Sequence, residues 1–314
     1  MPLKIAIQMD PIETVDVHAD TTFDMALEAF ARSHEIWVYD PRALRLWDGR
    51  VSASARRVES LKREQGEHAT LQDAETLDLH DVDVVLIRQD PPFDMAYITA
   101  AQILERLQPD VLVLNDPRAI RDAPEKLFVT DFADLTPPTL ITSDADAMRA
   151  FRDEHGDVIV KPLYGNGGAG VFKIARDDGN FSALIELFET AYREPSIIQK
   201  FLPAVTAGDK RIILLDGEAV GAINRVPAKG ETRSNMHAGG RAEAVEMSAR
   251  DQEICDRIGP VLSERGLIFA GIDVIGDYLT EINVTSPTGV QEVRRFGGAD
   301  ISALLWDWVD GRLS

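Results

Sequence analysis

The chain is poor in cysteine, has no long hydrophobic run and is short of positive charge. Its 314 residues include one cysteine, Cys255, which excludes an intrachain disulfide framework and a cysteine-rich zinc site. Nowhere do about 18 apolar residues follow one another, and the N-terminus lacks the apolar segment of a signal peptide. We therefore expect a cytoplasmic protein in which Cys255 is a small, buried or half-buried side chain.

Acidic residues outnumber basic ones. Lys and Arg total 33 against 53 Asp and Glu, which gives a formal net charge of -20. Nucleic acids and anionic membranes bind to cationic surfaces, so neither is expected as a partner. An apolar content of 45% and a charged content of 27% are typical of a soluble globular protein, and the length suits two or three domains.

Apolar runs and helical spacing alternate along the first 122 residues. This alternation predicts an open α/β domain with a mainly parallel sheet, in which residues 52–78 remain undetermined. After Pro124 the signals change to hairpins such as Asp216-Gly217, which predict α+β structure with antiparallel sheets. The strand candidates of the first part are residues 3–9, 36–39, 83–88 and 111–114, and the helix candidates are residues 23–30 and 95–107.

Oxygen-bearing side chains follow a regular pattern near the C-terminus. Glu281 and Asn283 are two residues apart on a predicted strand and therefore face the same side, while Asp273 lies on the preceding strand. A two-residue turn at Gly276-Asp277 would put Asp273 on the wrong face, so we expect a connection of odd length that sets Asp273 opposite Glu281. Such a set suits Mg²⁺ or Mn²⁺ with a nucleotide completing the coordination; solvent-facing turn residues are the alternative.

A glycine-rich loop follows a buried strand that ends in a lysine. After Lys161, the glycines of residues 165–170 let backbone N–H groups approach an anion. The pattern differs from Walker A and from the dinucleotide fingerprint, which both lead into a helix. The loop covers phosphates or is a simple turn. Lys126, at the start of a predicted helix, is a surface cation or a second phosphate ligand.

Two further segments carry candidate ligand contacts. Residues 197–203 form an apolar strand ending in proline, which could present backbone groups to an adenine edge beside Phe201 or Leu202, or could be an ordinary strand end. The polar loop 230–241 is a mobile surface excursion or a lid, and its His237 is a general base or simply exposed. In so acidic a chain, a group of arginines suits an anionic ligand; these are Arg211, Arg225, Arg233 and Arg241.

In chain order these features resemble the ATP-grasp ligases, and more closely the bacterial glutathione synthetase family. The similar segments run from one end of the chain to the other. They are Met9-Asp-Pro-Ile12, Arg88-Gln-Asp-Pro-Pro-Phe-Asp94, Asn115-Asp-Pro117, Lys161-Pro-Leu163 with Gly165-Asn-Gly-Gly168, Gly230-Glu-Thr-Arg-Ser-Asn235 with Ala238-Gly-Gly-Arg241, and Leu279-Thr-Glu-Ile-Asn-Val-Thr-Ser-Pro-Thr288.

The resemblance implies a domain plan and an activity. Residues 1–122 would form the N-terminal α/β substrate-binding (pre-ATP-grasp) domain, residues 123–200 the central ATP-grasp lid subdomain, and residues 201–314 the C-terminal ATP-grasp catalytic domain. The activity would be ligation of γ-glutamylcysteine to glycine with ATP and Mg²⁺ or Mn²⁺, through an acyl phosphate, in a homo-tetramer.

The resemblance also implies residue roles. Arg211, Arg225, Arg233 and Arg241 would be catalytic. The nucleotide contacts would be Lys126, Lys161, Gly165, Asn166, Gly167, Gly168, Gln199, Lys200, Phe201, Leu202 and Asp209. Asp273, Glu281 and Asn283 would hold the metal, and Arg88, Asn283, Ser286 and Thr288 would contact the peptide. We expect Arg225→Ala to lower kcat by on the order of 10²-fold with little loss of stability.

Two other functions remain open from the sequence. Another ATP-grasp carboxylate–amine ligase would keep the shared motifs but leave Asp90-Pro-Pro-Phe-Asp94 and Ser286-Pro-Thr288 unexplained. A non-catalytic ATP-binding module would not need the metal set together with Arg211 and Arg225, because binding alone requires no cations for a transition state.

Overall fold

The structure is a computed structural model that describes residues 2–231, 233–234 and 239–314. The described residues form three sheets. The first contains eight strands in the order β3-β4-β2-β1-β7-β8, with β5 and β6 paired to β4. Its strands are β1 Lys4–Gln8, β2 Glu35–Tyr39, β3 Leu44–Trp47, β4 Arg50–Leu61, β5 Ala69–Leu71, β6 Glu75–Asp78, β7 Val84–Ile87 and β8 Leu112–Leu114.

The first sheet is parallel on one side and antiparallel on the other. Strands β2, β1, β7 and β8 are parallel neighbours, as the alternation of segments predicted. Strands β3, β5 and β6 all pair antiparallel with β4, which itself runs antiparallel to β2. The antiparallel half spans residues 44–78, most of which belong to the segment 52–78 that the sequence left undetermined. The sheet is therefore mixed and not mainly parallel.

The other two sheets are antiparallel, which confirms the prediction for the second part of the chain. The second has the order β11-β10-β12-β9, and the third the order β15-β14-β13-β16-β17. The strands are β9 Thr139–Thr142, β10 Val158–Pro162, β11 Phe172–Ile174, β12 Ser196–Lys200, β13 Asp209–Leu215, β14 Glu218–Val226, β15 Arg241–Ala244, β16 Phe269–Ile275 and β17 Tyr278–Asn283.

Helices cover these sheets and connect them. The α-helices are α1 Thr21–Ala31, α2 Met95–Leu104, α3 Pro117–Arg121, α4 Glu125–Phe128, α5 Ala145–His155, α6 Phe181–Ala191, α7 Ala249–Glu264, α8 Val290–Arg295 and α9 Ile301–Leu313. Short 3₁₀ helices span Ile12–Thr14, Pro41–Ala43, Leu79–Asp81, Glu105–Leu107, Val129–Phe132 and Pro203–Ala207. Cys255 is buried in α7, as expected.

Helix α1 shows how local signals and packing combine. The side chain of Asp20 accepts a hydrogen bond from the Phe23 N–H, a cap that stabilises a helix by about 1 kcal/mol. The buried face of α1 meets α9, where the Trp306 indole N–H donates to the carbonyl of Met25 at 2.8 Å. The fully buried Asp24 accepts a hydrogen bond from Ser302 at 2.6 Å. The C-terminal helix is thereby fixed to the N-terminal part.

The hydrophobic cores are distributed unequally among the sheets. Two large clusters each combine residues of the first sheet with residues of the third. The second sheet has a smaller cluster of its own with α5 and α6, which includes Val160, Phe181 and Ile198. The second sheet therefore packs largely upon itself. The predicted domain boundaries at 122/123 and 200/201 remain predictions.

Candidate active site

A cleft of about 790 Å³ lies where the three sheets meet. On one side it opens at the carboxyl ends of β1 and β7, where the chain leaves the parallel strands in different directions; such switch points form ligand crevices in α/β sheets. Nearly all predicted site residues line it, although they come from distant segments. Those lining residues are Arg88, Lys126, Lys161, Gly165, Asn166, Gly167, Gly168, Gln199, Lys200, Phe201, Leu202, Asp209, Arg211, Arg225, Arg233, Asp273, Glu281, Asn283, Ser286 and Thr288.

The predicted metal ligands lie on the β16–β17 hairpin. Asp273 is paired with Glu281, as expected, but the expected connection of odd length is wrong. The turn has two residues, with Ile275 paired to Tyr278, and the register shifts beyond it. Thr280 is the extra residue of this β-bulge, and its hydroxyl donates to the carbonyl of Asp273 at 3.0 Å. A bulge moves a side chain to the other face as an odd turn would.

Cations hold both carboxylates of this hairpin in the ionised state. Burial raises the pKa of Asp273, but Arg211 and Arg225 outweigh it and leave that pKa well below its usual range. Two nitrogens of Arg211 contact the carboxylate of Asp273, and one of them, Nη2, lies 2.9 Å from Oδ2. The Nη2 atom of Arg225 also lies 2.9 Å from Asp273 Oδ2. Burial likewise raises the pKa of Glu281, and Lys126 and Lys161 lower it further than burial raises it.

The donor chemistry fits a hard divalent cation. Asn283 Nδ2 lies 3.4 Å from Asp273 Oδ2, so an amide oxygen is available beside two ionised carboxylates. Oxygen ligands of this kind suit Mg²⁺ or Mn²⁺. Within the described ranges, no three His, Cys, Asp or Glu side chains are grouped as a metal site, so the fit depends on the amide as third ligand.

Two buried lysines stand between this hairpin and the glycine-rich loop. Lys161, in β10, places Nζ 3.2 Å from Glu281 Oε1, and Lys126, in α4, places Nζ 3.5 Å from the same atom. Burial lowers the pKa of Lys126, but Glu281 and Glu125 raise it above its ordinary value. Lys126 also donates to the carbonyl of Gly165 at 2.6 Å. It is therefore a buried ammonium in the cleft, and not the surface cation considered from the sequence.

The glycine-rich loop has backbone conformations and a close approach that favour glycine. Gly167 and Gly168 both have positive φ, at 60° and 76°, where side chains are strained. A Cβ on Gly165 would lie 2.7 Å from Pro162 Cγ. Successive backbone N–H groups in such conformations form a concave anion site.

The predicted adenine segment spans most of β12 and the three residues after it. Gln199 is held by a hydrogen bond from Nε2 to Thr139 Oγ1 at 2.8 Å, and the Phe201 ring carries Lys173 Nζ 3.9 Å from its centroid. The N–H of Phe201 donates to the carbonyl of Asp157. Phe201 and Leu202 are half-buried and line the cleft, where they offer an apolar surface to a planar base.

The four arginines fall into different environments. Arg211 and Arg225 are buried, and Arg225 Nη2 lies 2.6 Å from Asp209 Oδ2. Arg233 also lines the cleft, pairing with Glu231 at 2.6 Å. Arg241 is exposed at the start of β15, pairs with Glu243, and is not among the lining residues.

Asp209 is a buried carboxylate of the cleft with a raised pKa and an unpartnered oxygen among the described residues. Burial raises its pKa to about 6, against the opposing pull of Arg225. Its Oδ2 accepts a hydrogen bond from Ser234 at 2.7 Å. Its Oδ1 is buried and, within the described part of the chain, has no hydrogen-bond partner. An unsatisfied buried acceptor in a cleft indicates a place for a ligand donor. The candidate base His237 and its neighbours Asn235 and Ala238 lie outside the described residues.

Comparison with known proteins agrees with this geometry. Residues 3–121 match the prokaryotic glutathione synthetase N-terminal domain, and residues 125–298 match the prokaryotic glutathione synthetase ATP-grasp domain. The chain belongs to the prokaryotic glutathione synthetase family. It is accordingly an ATP-using ligase of glutathione biosynthesis with an ATP-grasp fold.

Relatives match over nearly their full length. The glutathione synthetase of Agrobacterium fabrum is 58% identical, covering 98% of this chain and 96% of the relative. That of Mesorhizobium japonicum is also 58% identical, with 99% of each chain covered.

Solved structures share the fold. D-cycloserine synthetase DcsG has a TM-score of 0.70 at 15% identity, covering 99% of this chain and all of the other. The ATP-grasp ligase PsnB, in a complex with Mg and ADP, has a TM-score of 0.64 at 23% identity, covering 99% and 98%.

Several lining residues of the cleft were not predicted as site residues, most of them near the carboxyl ends of β1 and β7. Asp10, Asp20, Thr21, Asp90 and Glu125 line it but were not proposed as site residues. The available signal was an Asp-Pro pair beginning within three residues of the end of each of two parallel strands, Asp10-Pro11 after β1 and Asp90-Pro91 after β7.

No helix among the described residues is sufficiently long and apolar to span a membrane.

Arg88 is a buried cation at the same end of β7. It is 6% exposed and, among the described residues, no carboxylate lies within ion-pair distance of its guanidinium. Its Nε donates to Thr22 Oγ1 at 3.0 Å and its Nη2 to the carbonyl of Pro287 at 3.1 Å. Nearby, the hydroxyl of Thr21 is buried and unpartnered within the described chain. A buried arginine with no carboxylate within ion-pair distance is suited to a ligand carboxylate.

Proposed function

We propose that this cleft joins the cysteinyl carboxylate of γ-glutamylcysteine to the amine of glycine while ATP becomes ADP and phosphate. A single observation carries the proposal: two buried lysines, an ionised carboxylate pair with an amide, and buried arginines all face one cleft. Together these groups could neutralise a triphosphate, a divalent cation and a transferring phosphoryl group.

ATP makes the carboxylate reactive in two steps. A carboxylate oxygen attacks the γ-phosphorus, the bond from that phosphorus to ADP breaks, and an acyl phosphate forms. The glycine amine then attacks the acyl carbon, loses a proton, and phosphate leaves with the electron pair of the C–O bond. Phosphoryl transfer depends mainly on alignment and charge neutralisation. The protein therefore has to supply cations and exclude water.

Lys126 and Lys161 would hold the α- and β-phosphates. Both ammonium groups already converge on Glu281, so they point to one region of the cleft. The glycine-rich loop, residues 165–170, would cover the γ-phosphate with its N–H groups. The base would lie by Gln199, Lys200, Phe201 and Leu202. The Oδ1 of Asp209, which has no partner among the described residues, would accept from a nucleotide hydroxyl.

Asp273, Glu281 and Asn283 would hold Mg²⁺ or Mn²⁺. When bound, the ion would neutralise phosphoryl oxygens and align the phosphates. Arg211 and Arg225, which already bracket Asp273, would steady the transferring phosphoryl group and the oxyanion of the amine attack. Arg233 and Arg241 would act later, when the loop between β14 and β15 closes; for Arg241 this requires movement from its exposed position.

The peptide would lie on the Arg88 side. Its guanidinium would take a carboxylate of γ-glutamylcysteine, because it has no carboxylate partner among the described residues. Ser286, whose hydroxyl donates to the carbonyl of Arg88 at 3.3 Å, and Thr288 would contact the same substrate together with Asn283. Asp20 and Asp90 lie beside the guanidinium and would suit the substrate's ammonium group.

ADP release tests the proposal directly. Purified protein is given ATP, Mg²⁺ and γ-glutamylcysteine with glycine, with glutamate, or with no second amine. Rapid release with glycine alone and a product of glutathione's mass is the expected result. Release with glutamate and not with glycine would contradict it.

By the same resemblance we propose a cytoplasmic homo-tetramer, for which light scattering should give about four times the chain mass of 34.7 kDa.

A further inference from the structure

Two aromatic rings connect the glycine-rich loop to the N-terminal part of the cleft. Tyr164, directly before Gly165, stacks on Phe93 with ring centroids 6.1 Å apart and planes 22° from parallel. Phe93 packs in turn against the buried Tyr97 of α2, at 5.3 Å. Tyr164 is 37% exposed, so one part of its ring faces solvent while another part contacts Phe93.

This contact connects parts of the molecule whose hydrophobic clusters are separate. The second sheet carries the glycine-rich loop and has its own hydrophobic cluster, whereas the other two sheets share theirs. Where the loop begins, Lys126 Nζ donates to the carbonyl of Gly165, and the Tyr164 ring rests on Phe93. The start of the loop is thus fixed from two sides, by an ammonium group and by a ring.

The segment that carries Phe93 also borders the proposed peptide site. It follows β7 and Arg88, and its Asp90 and Pro91 line the cleft. The N–H of Asp90 donates to Asp10 Oδ2 at 2.8 Å, which ties the segment to the end of β1. A peptide bound at Arg88 would therefore touch the segment on which Tyr164 rests.

We propose that Tyr164 and Phe93 are positioning residues that couple binding of the peptide substrate to closure of the glycine-rich loop over ATP. A ligand that orders residues 90–94 favours the stacked arrangement, and the stacked arrangement favours the closed loop. Such coupling is reciprocal, so each substrate must bind more tightly when the other is present. The inference rests on the proposed function, since it takes γ-glutamylcysteine as the peptide.

Calorimetry in the absence of glycine tests the coupling. The Kd of a non-hydrolysable ATP analogue with Mg²⁺ is measured with and without γ-glutamylcysteine. We expect the peptide to lower this Kd by about three- to tenfold in the unaltered protein, the range that one aromatic pair supplies. Tyr164→Ala and Phe93→Ala should each abolish the difference while changing the Kd without peptide less than about twofold.

Three further variants separate positioning from a general loss of structure. Tyr164→Phe keeps the ring and should retain the coupling. The double variant Phe93→Ala/Tyr164→Ala should behave like either single variant, because both remove the same contact. Phe296→Ala removes a ring of similar exposure, 40%, outside the cleft and should leave the coupling unchanged.

The outcomes distinguish this proposal from the function on which it rests. Coupling that survives both alanine variants, or an equal loss of nucleotide affinity with and without peptide, would overturn the role of the aromatic pair while glutathione is still formed. An unaltered protein that neither binds γ-glutamylcysteine nor forms glutathione would overturn the proposed function and the coupling together.

Discussion

Asp273 lies directly opposite Glu281, one residue out of the register that the turn between their strands sets. The tight turn at Gly276 and Asp277 alone would leave the two carboxylates on opposite faces. The bulge at Thr280 reverses this beyond Val274 and directs both acids into the cleft. The proposed metal site thus depends on a local irregularity in an otherwise regular hairpin.

Glu281→Gln should weaken binding of the metal, so that activity requires a higher Mg²⁺ concentration. We expect the Mg²⁺ concentration for half-maximal ADP release to rise at least about tenfold, since a charged ligand becomes neutral. The matched control is Glu218→Gln, an exposed carboxylate of the same sheet outside the cleft. An unchanged Mg²⁺ titration curve in Glu281→Gln would remove this residue from the metal site.

Arg225→Ala should lower kcat by on the order of 10²-fold or more, but the expected small effect on stability does not agree with the structure. Arg225 is 6% exposed and lies between Asp209 and Asp273. Its removal leaves two buried carboxylates short of a partner, which typically costs about 3–5 kcal/mol. Urea denaturation and steady-state kinetics measure the two effects.

Arg225→Lys separates chemistry from folding. It retains the positive charge and should keep most of the free energy of unfolding, yet it lacks the planar guanidinium, whose Nη2 lies within ion-pair distance of both carboxylates. We expect kcat to fall at least about tenfold in a folded protein. A lysine variant with full activity would show that only the charge at this position matters.

Gly165→Ala should raise the KM for ATP about tenfold while the protein stays folded. The added Cβ would meet Pro162 Cγ at 2.7 Å, so the start of the phosphate-covering loop must shift. Gly179→Ala is the matched control in the same part of the chain, because nothing lies within 4 Å of its Cβ. Equal KM values for the two variants would contradict the proposed role of the loop.

Asp251→Asn should destabilise the protein at neutral pH and lose that effect in acid. Burial raises the pKa of Asp251, but Lys210 and the Ser248 cap of α7 outweigh it and lower the pKa below the ordinary value of 3.8. Its stabilisation is therefore present above about pH 4 and is lost as the pH falls below that value. We expect a loss of about 1.5–3 kcal/mol at pH 7.

The measurement for Asp251 is the free energy of unfolding in urea at pH 7 and pH 3, for the variant and the unaltered protein. Asp256→Asn, an exposed position of the same helix, should change it by less than about 0.5 kcal/mol. A destabilisation by Asp251→Asn that is equal at both pH values would show that its charge is not involved.

Much of the site could be predicted because its residues follow local rules. A lysine at a strand end, a glycine-rich turn, and oxygen donors two residues apart are visible in a few neighbouring positions. Arg241 was predicted because it lies close in sequence to the other arginines, but it lies outside the cleft. In a loop, unlike in a strand or helix, the spacing of residues does not determine the direction in which a side chain points. Asp20 and Glu125 were missed because a single acid before or within a helix has no distinctive pattern.

The sequence by itself determined the alternation of strands and helices, the antiparallel second part, and the kinds of groups available for phosphate and metal. These follow from side-chain period and turn chemistry, which act over a few residues. The tertiary structure alone decided the bulge at Thr280, the burial of Arg225 between two acids, and the stacking of Tyr164 on Phe93. Each of these depends on packing between strands or segments, which local sequence preferences do not specify.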